Sequence, residues 1–249
     1  MEIHSSIKKR LSCINFNYLD LLKKIIIVTG ANRGLGKALV DLSLRDKESK
    51  IISISRSLHD DHIGISLDKL ILVKTDLSEP FSTTVIEVLK KEVQENSSVY
   101  YFNNASIILP IDKISSFEIS DVNRSINVNV NFPVNLINSL LSNFKNNKMI
   151  LINITSGAGN NAILHWSLYC SAKAYMKMFF KVLQDENKSN NKLKIFSIDP
   201  GVLDTKMQQD IRNNEFPEKQ YFHSLKDDNR LIKAEDAAKN IFREINLDL

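Results

Sequence analysis

Eight consecutive residues, Thr29-Gly30-Ala31-Asn32-Arg33-Gly34-Leu35-Gly36, constrain this chain more than any other stretch. The sequence of 249 residues has only 7 glycines, and three of them stand here. Upstream lies Ile25-Ile26-Ile27-Val28, a β-branched run that reads as a buried strand. Downstream, Lys37-Ala38-Leu39-Val40-Asp41-Leu42-Ser43-Leu44 repeats apolar residues at helical spacing. The glycines therefore fall where a strand turns into a helix. A residue without Cβ lets the backbone bend tightly there and come close to a ligand. The helix N-terminus behind the turn offers free N–H groups and a positive dipole end, which suit a pyrophosphate. Taken alone, an ordinary strand–turn–helix satisfies the same pattern.

The rest of the chain repeats the alternation. Strands are expected at 25–29, 51–55, 70–75, 98–103, 149–154 and 193–198. Helices are expected at 34–45, 79–95, across 116–145, at 167–187 and at 234–245. Continuous apolar strands alternating with helices point to an α/β fold: a doubly wound parallel sheet of Rossmann type, a three-layer α/β/α single domain. The domain spans 25–249, with an N-terminal extension over 1–24. In that extension Lys8-Lys9-Arg10 precede an apolar stretch, but Asn15, Asn17 and Asp20 interrupt it and no small-residue cleavage site follows. The charged segment between Gly201 and Ala234 reads as irregular. A loop of that length in a compact domain is usually functional, which makes about 202–233 a candidate lid; a solvated excursion is the plainer alternative.

Composition narrows the function classes. The net charge of +4 is small and spread along the chain, and no basic stripe interleaved with aromatics suggests a nucleic-acid partner. No apolar run reaches membrane-spanning length. Cys13 and Cys170 form neither a disulfide framework nor a zinc spacing, so no metal is expected and a cytoplasmic location fits.

Three further groups carry chemistry. Arg56 closes Ile51-Ile52-Ser53-Ile54-Ser55, 20 residues after Gly36. A dinucleotide fold specific for NAD places an acid near there, whereas an Arg would meet a 2′-phosphate. Arg33, inside the glycine turn, is a second candidate, and together the two favour NADP; each read singly is also a plausible surface Arg. Asp76, followed by Leu77, could accept from an adenine amino group or cap a helix starting near Glu79. Tyr169 and Lys173 stand at i and i+4, one turn apart on one helix face. A nearby cation lowers the phenol's pKa and makes the pair an acid–base group. Ser156 ends the apolar strand 149–154, so its hydroxyl is expected in the crevice where open α/β sheets bind ligands.

These features resemble the short-chain dehydrogenase/reductase family over roughly residues 24–246. The turn Thr29-Gly30-Ala31-Asn32-Arg33-Gly34-Leu35-Gly36 is similar to that family's Thr-Gly-x-x-x-Gly-x-Gly, and Ser156, Tyr169 and Lys173 have its catalytic spacing. Asn103-Asn104-Ala105-Ser106 resembles its Asn-Asn-Ala-Gly, with Ser in the last place. Asn129 aligns with its fourth catalytic residue, although Asn127 and Asn131 flank it. Pro200-Gly201 matches the turn after the sixth strand, with Leu203 close behind, and Thr205 the hydroxyl that meets the carboxamide. Within the family, Ser156-Gly157-Ala158-Gly159, Trp166, Tyr169-Cys170 and the stretch from Pro200 to Gln209 are similar to benzil reductases that form (S)-benzoin and to sepiapterin reductases. Both of those groups continue into a seventh strand, and the pterin-anchoring Asp of sepiapterin reductases lies there. No counterpart of that strand is expected here, so the edge strand 193–198 is expected to be uncovered unless the N-terminal extension or a partner shields it, and a pterin substrate is not expected.

The resemblance implies an NADPH-dependent carbonyl reductase acting on a ketone or 1,2-diketone. Tyr169 would donate the proton, Lys173 would lower its pKa and hold the nicotinamide ribose, Ser156 would bind the substrate oxygen, and Asn129 would hold a water linking Lys173 to solvent. Trp166, Met207, Phe216 and Phe222 would form an apolar substrate wall, or else pack the lid against its own base. An alcohol dehydrogenase running in the oxidative direction uses the same residues. A non-catalytic NADP-sensing protein would not need the intact Ser156, Tyr169 and Lys173. Outward apolar residues Leu136, Leu140, Met176, Phe179 and Phe180 are expected to pair two subunits into a homodimer; if they face the sheet instead, a monomer results.

Overall fold

The computed structural model describes residues 24–247; the expected N-terminal extension lies outside the described residues. Six parallel strands form one sheet: β1 Lys24–Thr29, β2 Ser49–Ser55, β3 Leu70–Lys74, β4 Ser98–Asn103, β5 Lys148–Ile154 and β6 Leu193–Ile198. Their order is β3-β2-β1-β4-β5-β6. The strand order reverses between β1 and β4, and ligands bind at such a switch point, beyond the carboxyl ends of the strands.

Alternation along β1 sorts the core into two layers. Ile26 and Val28 face α1 (Gly34–Ser43) and the last helix. Ile25 and Ile27 face the opposite layer, where Val85 and Leu89 of α2 (Thr84–Glu92) lie. That layer continues with α3 (Ile119–Ile126), a π-helical turn at Asn127–Asn131, α4 (Phe132–Asn143) and α5 (Ser167–Glu186). The core residues of β1, β2 and β4 are almost all without exposure, as strands covered on both faces require. β6 stands at the sheet edge with its side chains partly exposed.

Three expectations are corrected. The helix expected from residue 79 begins at Thr84, because Asp76 and Glu79 close a turn and Pro80 follows it. The segment 202–233 is not irregular: it holds α6 (Lys206–Asn213) and α7 (Lys219–Asp227) ahead of α8 (Ala234–Glu244). Ile211, Phe216, Phe222 and Leu225 bury themselves with Trp166, Ile108 and Ile111 in a third cluster, and helices of 8 and 9 residues hold by such packing rather than by propensity. Finally, Leu136, Leu140, Met176 and Phe180 are at most 2% exposed and face the sheet, with Phe179 packed against them. The outward side of α5 instead carries Tyr175, Met178 and Val182.

Candidate active site

The glycine turn is built by local geometry. Gly34 has φ +54°, a backbone conformation that favours glycine, and it opens α1. Gly36 faces inward: a Cβ there would lie 2.2 Å from the Gly30 carbonyl oxygen. Gly36 therefore sets the tightness of the turn rather than lining the cleft. No acidic side chain occupies the first turn of α1, which leaves its N-terminal N–H groups and positive dipole end for an anion. A pyrophosphate fits this cradle.

Thr29 and Asn104 lock β1 to β4. Thr29 Oγ1 donates to Phe102 O (3.2 Å) and accepts from the N–H groups of Asn104 and Ala105, both at 3.1 Å. Asn104 Nδ2 donates to Thr29 O at 2.8 Å. The carboxyl ends of the two switch-point strands are thereby fixed against each other.

A cleft of about 300 Å³ opens above these ends. Its lining includes Gly30, Asn32, Arg33, Gly34, Leu35, Arg56, Asp76, Leu77, Asn104 and Ala105 at one end. Toward the other it includes Ser156, Trp166, Tyr169, Lys173, Pro200, Gly201, Leu203, Thr205, Met207 and Phe222. Asn32 Nδ2 donates to Ser57 Oγ at 3.3 Å, tying the glycine turn to the end of β2. Arg33 and Arg56 are exposed and both reach this end of the cleft. Asp76 Oδ1 accepts from Ser78 N (3.0 Å) and Ser78 Oγ (2.7 Å). Those two bonds hold its carboxyl below the usual carboxylate range, with Arg56 and Arg124 adding to the effect. Asp76 thus caps a local turn and not α2.

Phe216 does not line the cleft. It is 7% exposed and sits behind the wall, with its ring 5.7 Å from Trp166 and 5.6 Å from Phe222. It supports the two aromatics that do face the cleft, because the segment 202–233 needs a core of its own.

Three of the catalytic candidates converge from two elements. Ser156 follows β5, and its Oγ accepts from Ala158 N at 3.2 Å. Tyr169 and Lys173 come from α5, with Lys173 Nζ 5.5 Å from the phenol ring centroid. Lys173 Nζ donates to Ile154 O at 3.0 Å, which pins the amine to the end of β5. The expected depression of the phenol is not found. Burial pushes Tyr169 up to about 12, against the pull of Ser156, while Asp199 and Cys170 add to the rise. Burial likewise brings Lys173 down to about 8, with Asp199 pulling it back up. Desolvation of both partners outweighs the attraction one has for the other's charged form.

Asn129 is the inward-facing asparagine of its trio. Asn127 reaches Ser78 O and Asn131 reaches Asn127 Oδ1, whereas Asn129 is 6% exposed. Its Oδ1 accepts from Ser106 Oγ (3.0 Å) and Ile107 N (2.9 Å), and its Nδ2 donates to Ile107 O (2.9 Å) and Ser125 Oγ (3.3 Å). The amide's two donors and two acceptor positions are all used. The side chain pins the segment after β4 and has nothing left for a water. Pro133, four residues on, has no N–H for the Asn129 carbonyl, and the backbone is π-helical over Asn127–Asn131.

Arg124, Ser106, Asp199 and Gln208 are among the residues of the site that the sequence reading did not single out. Arg124 lines the cleft from α3, one helical turn before Val128, which also lines it. Ser106, read only as a departure from Gly, bonds Asn129 and acts on Tyr169. Asp199, just before the Pro200-Gly201 turn, accepts from Gly201 N through its Oδ1 at 3.0 Å and acts on both Tyr169 and Lys173. Gln208 lines the cleft although it is only 3% exposed. For Arg124 the available signal was its i, i+4 relation to Val128.

A family model for short chain dehydrogenases matches residues 24–215. The chain belongs to the short-chain dehydrogenase/reductase family. It is 30% identical over 230 residues to a benzil reductase ((S)-benzoin forming) of Bacillus cereus, covering 88% of this chain and 92% of that protein. It is 24% identical over 243 residues to the sepiapterin reductase of Xenopus tropicalis, covering 90% and 92%. The crystal structure of the KRED1-Pglu enzyme superposes with a TM-score of 0.76 at 30% identity, over 86% of this chain and 91% of that one. The protein is thus an oxidoreductase built on a Rossmann-like sheet. Among the described residues no helix is long and apolar enough to cross a membrane.

Proposed function

We propose that this oxidoreductase is an NADPH-dependent carbonyl reductase, with Tyr169 as proton donor to a ketone or 1,2-diketone. The observation that carries the reading is the convergence of Ser156, Tyr169 and Lys173 on one cleft whose other end holds Arg33 and Arg56. The benzil reductase similarity supports the same substrate class. A reduced nicotinamide supplies the hydride when bound. The remaining steps belong to the chain. Ser156 donates a hydrogen bond to the carbonyl oxygen and stabilises the charge that grows there. Tyr169, whose phenol keeps its proton at neutral pH, gives that proton to the oxygen. Lys173 holds the nicotinamide ribose and places a positive charge beside the phenol. The water relay to Lys173 falls to the Asn129 main-chain carbonyl, since its amide is fully engaged. Thr205, against Gly34, closes the far side of the turn.

Tyr169→Phe keeps the ring and removes the hydroxyl. Reduction should fall at least about a hundredfold with NADPH binding nearly intact, and retained turnover would remove Tyr169 from its role. Arg56→Asp should weaken NADPH far more than NADH, because a charge-assisted contact is lost and a like charge is introduced. Wild-type protein that uses NADH as well as NADPH would overturn the assignment of Arg56.

The same reading takes in assembly and location. Tyr175, Met178 and Val182 form an exposed apolar stripe along α5, with spacings of three and four residues. A two-fold contact is self-complementary, so one such stripe serves both subunits of a homodimer. The free thiol of Cys170 is in keeping with a cytoplasmic protein.

A further inference from the structure

A single hydrogen bond decides which way one amide on the cleft wall faces. Gln208 and Arg212 stand one turn apart on α6 and are 3% and 7% exposed. Arg212 Nη1 donates to Gln208 Oε1 at 3.1 Å. A guanidinium carries only donors, so the amide atom that meets it is the oxygen. Arg212 stays protonated at any working pH, so the contact does not titrate away. The Gln208 amide is held with its oxygen toward Arg212 and its NH₂ group turned away.

That NH₂ group is uncommitted. Among the described residues Gln208 Nε2 donates to nothing. Nor is it sealed in: the side-chain atoms buried without a partner are Asn153 Nδ2, His165 Nδ1, Trp166 Nε1, Ser167 Oγ and Glu218 Oε2. The opening that Gln208 lines is the cleft, beside Met207 and Ile211. This is the catalytic end of the cleft, because Met207 and Ile211 cluster with Trp166 and Tyr169. An N–H donor therefore faces the reacting centre from a wall that Met207, Ile211 and Phe222 otherwise make apolar. Arg212 lies behind that wall and does not line the cleft, and Lys206 is engaged by Asp210 at 2.9 Å. A neutral donor among apolar groups suits an uncharged acceptor, since a charge there would lose its water without a counter-ion. A ligand with no acceptor at this place would cover the NH₂ group and leave it unpaired.

We propose that Gln208 selects 1,2-diketones over simple ketones, its Nε2 donating to the second carbonyl oxygen while Ser156 and Tyr169 hold the one being reduced. Arg212 is the positioning residue that keeps the amide turned. The inference deepens the carbonyl-reductase reading and rests on it. The balanced reaction is 1,2-diketone + NADPH + H⁺ → hydroxyketone + NADP⁺. The hydride forms the new C–H bond at the carbonyl carbon beside Tyr169, and the Tyr169 proton goes to that oxygen. The carbonyl at Gln208 is unchanged throughout.

The test compares 1-phenyl-1,2-propanedione with 1-phenyl-1-propanone, which lacks the second oxygen. Binding is read without cofactor by quenching of Trp166, the only tryptophan in the chain and a lining residue of the cleft. Turnover is read as kcat/KM with NADPH. A diketone is the more reactive compound in itself, so each variant is judged by the change in the diketone-to-monoketone ratio. Gln208→Glu keeps an oxygen for Arg212 and replaces the NH₂ group with a second acceptor. It should lower the ratio about fivefold or more in binding and in kcat/KM, the scale of one net hydrogen bond. Gln208→Met should do the same; if it fails to fold, Gln208→Glu decides, because there Arg212 keeps its partner. Arg212→Met should lower the ratio, and Arg212→Lys, which still offers a donor to Oε1, should restore most of it. Wild type that binds the two ketones equally, or a ratio unmoved in Gln208→Glu, would overturn the role of Gln208. Reduction of both ketones with a ratio indifferent to Gln208 would sink this inference alone. Diketone binding that needs Gln208, with neither ketone reduced, would support the contact and sink the carbonyl-reductase reading.

Discussion

Reduction by this site should depend on pH through Lys173 rather than through Tyr169. Burial holds the phenol at about 12, so Tyr169 is a loaded donor at every pH where the protein is assayed. Burial lowers Lys173 to about 8. Its amine is therefore charged below that value and neutral above it. A step that needs the phenol's proton and the ammonium beside it has both below pH 8 and loses the second above. At pH 9 about a tenth of the molecules keep the charge, and each further unit removes about another factor of ten. kcat/KM for reduction should be flat from about pH 6 to 7.5 and then fall with a slope approaching −1. Asp199 raises Lys173 toward its ordinary value. Asp199→Asn should accordingly move the break to lower pH, and Lys173→Met should abolish it along with most activity. The assay is the initial rate of NADPH oxidation at constant ionic strength across pH 6 to 10. A profile flat through pH 9.5, or a break that moves upward in Asp199→Asn, would refute the argument that burial of Lys173 governs the response.

Gly36→Ala places its methyl 2.2 Å from Gly30 O and 2.8 Å from Gly30 C, backbone atoms that cannot swing aside. Overpacking of about 1–3 kcal/mol should exceed the ~1 kcal/mol gained from replacing a helical glycine. A lower urea midpoint and NADPH binding weakened about tenfold are expected; an unchanged midpoint with unchanged binding would show that the turn has slack. Met178→Asp puts a charge in the middle of the α5 stripe and should convert a dimer to a monomer in analytical ultracentrifugation. Wild-type protein that sediments as a monomer removes the proposed contact.

What the sequence revealed followed the range of the physics involved. Glycine spacing, β-branched runs and the i, i+4 pair of Tyr169 and Lys173 are local signals, and they pointed to the sheet, the turn and three side chains that line one cleft. β4 and β6 were read with the bounds the structure has. Readings that failed depended on what a side chain meets across the fold. Leu136 and Met176 look alike as outward or inward residues until the sheet is in place, since a helix shows apolar spacing whichever face is covered. The segment 202–233 looked irregular because α6 and α7 are short and charged, and their stability comes from Trp166 and Ile108, distant in sequence. The pKa expectation erred for the same reason. One turn of helix brings Tyr169 and Lys173 together, but how far both are taken out of water is decided by β5, β6 and the segment beyond Gly201. Arg212 marks the limit of local reading most clearly. In the sequence it is one more charge in a polar stretch, and only the fold takes it out of water beside Gln208.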